Sequence, residues 1–421
     1  MRNRDYFKDK IVTVVGLARS GSACANLLSD LGAEVCVSDN QDNAATRSYA
    51  AALEAKSIKV ELGGHSPEFI RNRDLVVVSP GVSNISPAII WAEQFKIPII
   101  SEVELAWTLC PATVIATTGT NGKTTVTTLI GKILEAKGER VFVCGNIGNP
   151  FCGEVEKMQA GDYVALEVSS FQLERIKAFQ PKISLILNFS SNHLDRFSGL
   201  KEYLQAKKRI FLNQGKSDYL VLNRLDPSLR QLSGETQAEV VYFSQEADTN
   251  LNQAAVLAVG AILGIDEKLC RQVFSQFKGI EHRLEEVAEI KAVKFVNDSK
   301  ATNVNSTIWA LRNIASPVVL IAGGRGKGND YSLILDLVRQ KVKEAILIGE
   351  ARGKITQAFR GVLPLEEAET LEEAVKKAFA KAAPGDCVLF SPMCKSFDMF
   401  ANYEERGRVF KKAVSELTRS P

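Results

Sequence analysis

Short apolar runs alternate with amphipathic stretches along the whole chain. Residues 11–16 and 34–38 are apolar and predict buried strands, and residues 20–31 between them have the spacing of a helix. The pattern recurs further on, where residues 113–116 predict a strand and residues 125–137 predict a helix. Strands that alternate with helices are typical of parallel sheets, so we predict an α/β fold throughout.

A chain of 421 residues is too long for a single hydrophobic core. Ser101-x-x-Glu104 has the form of a capping box that opens a helix, and we place a domain boundary there. A second boundary is expected near residues 279–283. The predicted domains are residues 1–101, 102–280 and 281–421.

The most informative stretch is T-T-G-T-N-G-K-T-T, residues 117–125, which joins a predicted strand to a predicted helix. The amides and dipole at a helix start favour anions. Lys123 can reach the β- and γ-phosphates of a nucleotide, and the Thr124 hydroxyl can bind Mg²⁺. Thr117 stands where the general P-loop has glycine, and an ordinary strand–helix turn is the alternative. The residues assigned to ATP here are Gly119, Thr120, Asn121, Gly122, Lys123, Thr124 and Thr125.

The first segment opens like a dinucleotide-binding fold, with an acidic residue, Asp39, after the second strand. Its glycines, Gly16 and Gly21, are five residues apart and do not complete G-x-G-x-x-G, so an NAD-dependent oxidoreductase is weakly supported. The amides of residues 17–21 could still hold a nucleotide diphosphate, with Asp39 accepting from a base or ribose. A plain α/β turn is the alternative.

Polar residues that could bind a metal ion or take part in catalysis follow three further predicted strands. Glu167 ends an apolar run, where a carboxylate could meet a metal ion at the sheet edge. His193 lies in a polar loop after a strand at residues 183–188. Asp298 and Lys300 follow another strand and could handle phosphate together, although such a pair is also common on surfaces.

The composition is that of an ordinary soluble protein, with 45% hydrophobic and 24% charged residues. A net charge of +3 gives no argument for nucleic acid or an anionic membrane as a partner. The apolar run 254–265 lies in a helix predicted to begin at Asn252 and is too short to span a bilayer. Eight scattered cysteines without C-x-x-C predict reduced thiols in a cytoplasmic protein.

Seven stretches, taken in order, resemble the Mur ligases, the ATP-dependent amide-forming enzymes of bacterial peptidoglycan synthesis. They are T-G-T-N-G-K-T, G-N-I-G, L-E-V-S-S-F-Q-L-E, N-H-L-D-R, H-R, N-D-S-K-A-T-N and S-P-M-C-K-S-F-D. The resemblance covers essentially the whole chain and is greatest to the D-glutamate-adding members. Folylpolyglutamate synthetases share the P-loop version, but they would not need the first nucleotide-fold domain.

The resemblance implies that the first domain holds the UDP of UDP-N-acetylmuramoyl-L-alanine and the second holds ATP. The third, a Rossmann-like domain, brings D-glutamate. A substrate carboxylate would attack the γ-phosphate, and the D-glutamate amine would attack the resulting acyl phosphate. The resemblance also implies two Mg²⁺ ions and a lysine carbamylated by CO₂. We expect a monomer in the bacterial cytoplasm, without a nucleic-acid partner and without membrane insertion.

Position by position, the resemblance assigns catalytic roles to Lys123, Glu167, His193 and Lys207. Lys207 matches the carbamylated lysine, and the adjacent Lys208 would take its place if the match were shifted by one residue. Implied metal ligands are Thr124, Glu167, His193 and carbamylated Lys207. Further ATP-facing positions are Asn252, Arg283 and Asp298. Implied contacts of the UDP substrate are Arg19, Ser20, Asp39, Asn146 and His193. Those of D-glutamate are Lys300, Thr302, Lys327, Ser396 and Tyr403.

Four positions depart from the family pattern and bear on substrate contacts. Gln41 stands where some members have Arg near the uracil, and Asn192 stands where Asp is common. Arg325 replaces an Asp of some members, and Tyr403 replaces a frequent Phe. A ligase for another amino acid and a nucleotide-binding regulator without turnover are the alternatives. The D-N-P-R-like stretch typical of diaminopimelate-adding members is missing from the sequence.

Overall fold

The first domain in the computed structural model is a five-stranded parallel sheet of order β3-β2-β1-β4-β5. The model describes residues 4–190, 197, 199–245, 248–326 and 328–418. The strands are β1 (Ile11–Val15), β2 (Glu34–Asp39), β3 (Lys59–Leu62), β4 (Leu75–Val78) and β5 (Ile99–Ser101). The helices are α1 (Arg19–Asp30), α2 (Ala44–Glu54) and α3 (Pro87–Gln94). The strand order reverses between β1 and β4, and such a switch point opens a ligand crevice at the carboxyl edge of a sheet.

The central domain is a six-stranded parallel sheet of order β11-β10-β9-β6-β8-β7. Its elements are α4 (Glu102–Leu109), β6 (Thr113–Thr118), α5 (Lys123–Lys137), β7 (Val141–Gly145), α6 (Phe151–Glu154), β8 (Tyr163–Glu167), α7 (Ser170–Leu173), β9 (Ile183–Ile186), α8 (Leu200–Lys208), β10 (Tyr219–Asn223), α9 (Pro227–Arg230), β11 (Glu239–Phe243), α10 (Leu251–Ile262) and α11 (Glu267–Gln276). Because β6 pairs with both β8 and β9, residues that follow these three strands meet at one edge.

The third domain has a six-stranded sheet of order β12-β13-β17-β14-β15-β16, parallel except for the antiparallel edge strand β12. Its elements are β12 (Glu285–Ile290), β13 (Val293–Asn297), α12 (Val304–Asn313), β14 (Val318–Gly323), α13 (Leu335–Lys341), β15 (Val342–Ile348), α14 (Arg352–Phe359), β16 (Leu365–Glu367), α15 (Leu371–Lys381), β17 (Cys387–Phe390) and α16 (Tyr403–Leu417). The prediction of a three-domain α/β architecture is confirmed.

The chain divides into two compact units, residues 1–277 and 278–421. The first and central domains form one unit because buried apolar residues of both, such as Cys24 of α1 and Phe151 of α6, belong to one core. The sheets fall within the three predicted spans. The limits of those spans at residues 101 and 280 stay a prediction.

Two buried carboxylates fasten α4 to the rest of the central domain. The Glu104 carboxylate accepts the backbone N–H groups of residues 177, 178 and 179 at 2.9, 2.7 and 3.0 Å. Glu102 accepts the N–H of Cys152 at 2.7 Å. Of the two hydrogen bonds of the predicted capping box at Ser101, only one is therefore formed, and the prediction of the other is wrong. The Ser101 hydroxyl does accept from the Glu104 amide, at 3.4 Å, but the Glu104 side chain binds the distant backbone segment instead.

All eight cysteines lie in the described residues, where each is free and buried. The sulfur atoms of Cys24 and Cys152 lie 3.7 Å apart without a disulfide bond. Among the described residues, no helix combines the length and the apolar character that crossing a bilayer requires.

The first glycine turn is shaped by close packing between its two glycines. Gly16 has φ of +95°, a region that favours glycine. A Cβ atom on Gly21, in the first turn of α1, would overlap the Gly16 carbonyl oxygen. Gly16 and Gly21 stand at the first and last glycine positions of G-x-G-x-x-G, with Ala18 at the middle one, and it is at these two positions that β1 and α1 approach each other.

We predict that Gly21→Ala destabilises the first unit by about 3 kcal/mol, because the added methyl group forces the turn apart. Chemical denaturation followed by circular dichroism measures the change. The matched control is Gly64→Ala in the same domain, where an added Cβ would have no neighbour within 4 Å. The control should change stability by less than about 0.5 kcal/mol. Equal losses in both variants would contradict the packing explanation.

Candidate functional site

The P-loop joins β6 to α5 as the sequence predicts, and the helix begins at Lys123 rather than at Thr125. Gly122 has φ of +83°, and a Cβ atom there would overlap the Oδ1 atom of Asn252. Asn252 therefore lies directly against the P-loop, where the resemblance assigns an ATP contact. Its helix, α10, begins one residue earlier than predicted and is capped by Asn250.

Two lysine side chains converge on one carbonyl group of the P-loop. The Lys123 ammonium donates to the carbonyl oxygens of Gly119 at 2.9 Å and Thr120 at 3.0 Å. The Lys207 Nζ atom donates to the same Gly119 oxygen at 3.0 Å and lies 4.5 Å from the ring centre of Tyr203. Burial, together with the nearby Lys123 charge, holds the pKa of Lys207 well below its ordinary value.

Lys207 and Lys208 have different surroundings although they are adjacent in α8. Lys207 is buried, with 1% of its surface exposed, and reaches the P-loop. Lys208 forms an ion pair with Glu235 instead. Neighbouring residues of a helix point about 100° apart, so only one of them can face the loop. The geometry favours Lys207 for the role that the resemblance gives to one of the two.

Glu167 is a buried carboxylate with one oxygen that lacks a hydrogen-bond partner among the described residues. It ends β8, and its Oε1 atom accepts from the Asn146 amide at 2.7 Å. The Oε2 atom is the orphan, and leaving a carboxylate oxygen buried without a partner is costly. Carboxylate and hydroxyl oxygens, the donors that Glu167 and Thr124 offer, are the kind of ligand that suits Mg²⁺. The residues present therefore fit a magnesium ion.

The cluster of Glu281, His282 and Glu285 gives a useful contrast. Ligand atoms of the three residues lie within 4.8 Å of one another, as in a metal site. However, the Lys411 ammonium donates to Glu281 at 3.0 Å and to Glu285 at 2.6 Å. The acidic charge there is already compensated by a lysine, whereas the Glu167 Oε2 atom has no such partner in the described chain.

Three residues discussed above lie outside the residues that the structure describes. They are Asn192, His193 and Lys327. The roles that the resemblance gives them, metal and substrate binding for His193 and D-glutamate binding for Lys327, stay predictions.

In the first domain, Asp39 has a clear structural task. One of its carboxylate oxygens accepts the Leu17 N–H, and the other accepts the Gln41 N–H at 2.7 Å. Asp39 thus holds the backbone of the glycine turn. Arg19, at the start of α1, donates to the Gly148 carbonyl at 3.4 Å. Arg19 therefore lies beside the loop that carries Asn146, and Ser20 is the next residue of α1.

In the third domain, Lys300 and Tyr403 lie together, with the Lys300 Nζ atom 5.7 Å from the ring centre. The Ser299 hydroxyl donates to the Tyr403 carbonyl at 2.8 Å. Ser396 is buried and accepts the Met399 N–H at 3.1 Å through its carbonyl. Thr302 donates its backbone N–H to the Lys300 carbonyl at 2.9 Å. The predicted D-glutamate contacts Lys300 and Tyr403 are thus brought together.

Asp298 is buried, and burial raises the pKa of its carboxyl group to about 7. Its oxygens accept from the Ser391 hydroxyl at 2.7 Å and from the Leu284 N–H at 3.3 Å. It therefore holds the backbone next to Arg283 rather than the guanidinium itself. The Arg283 guanidinium lies 5.3 Å from the ring centre of Trp309.

Arg325, a departure from the family pattern, forms a two-point ion pair with Glu350 at 3.0 and 2.7 Å.

Sequence reasoning missed two residues that hold loops of the site in place, one in the third domain and one at the P-loop. Arg406 of α16 is buried and donates to both the hydroxyl and carbonyl of Ser299 and to the Cys394 carbonyl. It thus ties together the two loops that carry Lys300 and Ser396. Asn188, which follows β9, binds the P-loop backbone. Asn188 ends a predicted strand and so could have been suspected, whereas no pattern in the sequence marks Arg406.

Comparison with known proteins gives family matches to each of the three domains. Residues 10–101 match the model described as Mur ligase MurD-like, N-terminal domain. Residues 117–266 match the Mur ligase middle domain, and residues 282–394 match the Mur ligase, glutamate ligase domain.

Two full-length relatives are similar to the chain. The UDP-N-acetylmuramoylalanine–D-glutamate ligase of Koribacter versatilis is 40% identical, over 97% of this chain and 98% of that protein. The ligase of the same name from Thermoanaerobacter pseudethanolicus is also 40% identical, over 98% and 99%. Among solved structures, the UDP-N-acetylmuramate–alanine ligase of Thermotoga maritima has a similar fold, with a TM-score of 0.63 at 18% identity, over 97% of this chain and 100% of that one.

We predict that Glu167→Gln weakens Mg²⁺-dependent nucleotide binding by about 100-fold, because the amide removes the anionic oxygen that a cation requires. Isothermal titration with ATP, in Mg²⁺ and in a chelator, measures the effect. The control is Glu156→Gln, at an exposed position of the same domain. If wild type and Glu167→Gln respond equally to Mg²⁺, Glu167 is not a metal ligand.

Proposed function

The chain belongs to the Mur ligase family, and we propose that it adds D-glutamate to UDP-N-acetylmuramoyl-L-alanine at the expense of ATP. The products are the extended UDP-linked peptide, ADP and phosphate. The proposed setting is peptidoglycan precursor synthesis in a bacterial cytoplasm, with the protein acting as a monomer. The two relatives of 40% identity that carry this activity in their names support the choice of D-glutamate.

The observation that carries the proposal is the buried Lys207 on the P-loop carbonyl beside Lys123. A nucleotide-binding regulator would need the loop and one lysine. It would not need a second lysine, buried and close enough to Lys123 to have its pKa lowered. Such an arrangement is costly for folding and is typical of sites where the charge is used in chemistry.

In the proposed reaction, ATP activates a carboxylate that would not react with an amine at neutral pH. The alanyl carboxylate attacks the γ-phosphorus, the bond to the β-phosphate oxygen breaks, and ADP leaves. The D-glutamate amine then attacks the acyl phosphate, loses a proton, and phosphate leaves as the amide forms. Lys123 stabilises the negative charge on the transferred phosphoryl group. Most of the catalytic effect is positioning and charge stabilisation.

Magnesium would be held by Thr124 and Glu167, with His193 assigned to a second ion, and supplies charge neutralisation of the phosphates when bound. Asn146 orients the Glu167 carboxylate through its 2.7 Å hydrogen bond. Arg19, which contacts the Gly148 carbonyl of the same loop, links this carboxylate to the proposed UDP-binding turn.

Carbamylation of Lys207 fits its surroundings. Only a neutral amine can attack CO₂, and the lowered pKa of Lys207 increases the neutral fraction. The nitrogen forms a bond to the carbon of CO₂ and loses a proton, so the cation becomes an anionic carbamate. That change removes the repulsion from Lys123 and provides an oxygen ligand for a metal ion. Lys208 forms an ion pair with Glu235 and does not share the buried position that favours a neutral amine at Lys207.

In the third domain, Lys300, Thr302, Lys327, Ser396 and Tyr403 are the proposed D-glutamate contacts. Cations and hydroxyls suit its two carboxylates. A ligase for another amino acid is the runner-up, and Arg325 and Tyr403 are departures from the family pattern that bear on substrate contacts. A folylpolyglutamate synthetase is disfavoured by the match of residues 10–101 to a Mur ligase N-terminal domain.

The proposal predicts release of ADP only when UDP-N-acetylmuramoyl-L-alanine, Mg²⁺, ATP and D-glutamate are all present. A coupled ADP assay with a panel of L- and D-amino acids measures this, and mass spectrometry identifies the product. Glycine, L-glutamate and meso-diaminopimelate are the controls. ADP release that depends on another member of the panel, or on none, would refute D-glutamate as the substrate.

A second prediction concerns the two adjacent lysines. Lys207→Ala should lower kcat at least about 1,000-fold, because the loss removes the carbamate and its negative charge from the site. Formate or another small carboxylate should restore part of the activity by occupying the space of the carbamate. Lys208→Ala is the matched control and should keep wild-type kcat within about threefold. Loss of activity in Lys208→Ala alone would show that the lysines are assigned the wrong way round.

A further inference from the structure

The Asn188 side chain forms hydrogen bonds to both kinds of backbone group in the P-loop. Its Oδ1 atom accepts the N–H groups of Thr120 at 3.1 Å and Asn121 at 2.9 Å. Its Nδ2 atom donates to the Asn121 carbonyl oxygen at 3.0 Å. A primary amide is the side-chain group that can accept from two N–H groups while it donates to a carbonyl. An aspartate could do only the first.

The neighbouring backbone continues the same connection. The Asn188 carbonyl accepts the Thr120 N–H at 3.2 Å, and the Ser190 N–H donates to the Thr120 hydroxyl at 3.1 Å. Several hydrogen bonds thus join the segment after β9 to the P-loop, which follows β6. Because β6 and β9 are paired neighbours in the sheet, this connection ties the P-loop to a rigid element.

The hydrogen bonds of Asn188 also determine which backbone groups of the P-loop remain for Lys123 and for the phosphates. Lys123 donates to the carbonyl of Thr120, and the N–H of that residue is held by Asn188. The N–H groups of Thr120 and Asn121 face Asn188. The amides of the first turn of α5, which begins at Lys123, are then the ones that suit phosphate, as at other helix N-termini.

We propose that Asn188 is a positioning residue for nucleotide binding, which holds the P-loop in the shape that receives the ATP phosphates. This inference rests on the proposed function only in that the loop binds ATP. Asn188 acts through the loop backbone and does not itself take part in the chemistry. Its amide donor and acceptor are both required, so isosteric replacement by aspartate is not neutral.

Two substitutions test the proposal. Asn188→Asp keeps the acceptor oxygens but loses the donor to Asn121, and it adds a negative charge beside a loop that receives a triphosphate. We expect its Kd for Mg-ATP to rise about 30-fold or more. Asn188→Ala loses all three side-chain hydrogen bonds without adding charge, and we expect a rise of roughly tenfold.

Asn223 provides the matched control. It ends β10, the neighbour of β9, and it too binds backbone groups through its amide. Its Nδ2 atom donates to the Leu187 carbonyl at 3.2 Å, and its Oδ1 atom accepts the Leu225 N–H at 2.9 Å. Asn223→Asp repeats the chemical change without touching the P-loop. It should lower the thermal midpoint while its Kd for Mg-ATP stays within about twofold of wild type.

The measurements are calorimetric titration of the full chain with Mg-ATP and thermal unfolding without nucleotide. With the complete substrate set, KM for ATP should rise in the Asn188 variants while KM for D-glutamate stays unchanged. Wild-type ATP affinity in Asn188→Asp, or affinity losses that merely follow the thermal midpoint in all three variants, would overturn the proposal. ATP titration needs no turnover, so this result is independent of whether D-glutamate is the substrate.

Discussion

The carbonyl oxygen of Gly119 accepts hydrogen bonds from Lys123 and Lys207, and the rest of the central site depends on this pairing of two lysine amines. Two ammonium groups on one acceptor would repel each other, and the burial of Lys207 removes most of the water that would screen them. Burial, together with the charge of Lys123, therefore holds the pKa of Lys207 well below its ordinary value. The proposed triphosphate, or the proposed carbamate on Lys207, would place negative charge beside the two amines and so relieve their repulsion. The site is therefore prepared for negative charge before any ligand arrives.

Strand order brings the remaining groups to these lysines. Since β6 pairs with β8 on one side and β9 on the other, the P-loop, Glu167 and Asn188 follow three adjacent strands. Each makes contacts that a mobile surface loop would not keep: Glu167 with Asn146, and Asn188 with the loop backbone. Groups held by strand ends are placed more accurately than groups on free loops. Glu104 contributes to this placement from a distance, because it holds the segment that leads from α7 into β9.

Most elements and the P-loop could be predicted from the sequence because their signals are local. The partners of polar side chains could not. The capping box at Ser101 matches its pattern, yet Glu104 binds three amides more than seventy residues away, which outweigh the single amide of a cap. Asn188 was visible at the end of a strand, but its partner depends on which strands pair. The choice between Lys207 and Lys208 required the phase of α8 against the sheet, which no residue pattern supplies.

The first domain shows how a failed motif can still be informative. In dinucleotide-binding domains the acidic residue after the second strand accepts the ribose hydroxyls. Here each oxygen of Asp39 already accepts a backbone N–H, from Leu17 or Gln41, and so the carboxylate is part of the turn. Gly16 and Gly21 are in contact, which is the close packing expected of the first and last glycines of the motif, and Ala18 stands at the middle position. The close approach of strand and helix is therefore the part of the motif that this turn retains. Arg19, at the start of α1, donates to the Gly148 carbonyl, so the helix that leaves this turn also contacts the loop that carries Asn146 in the central domain.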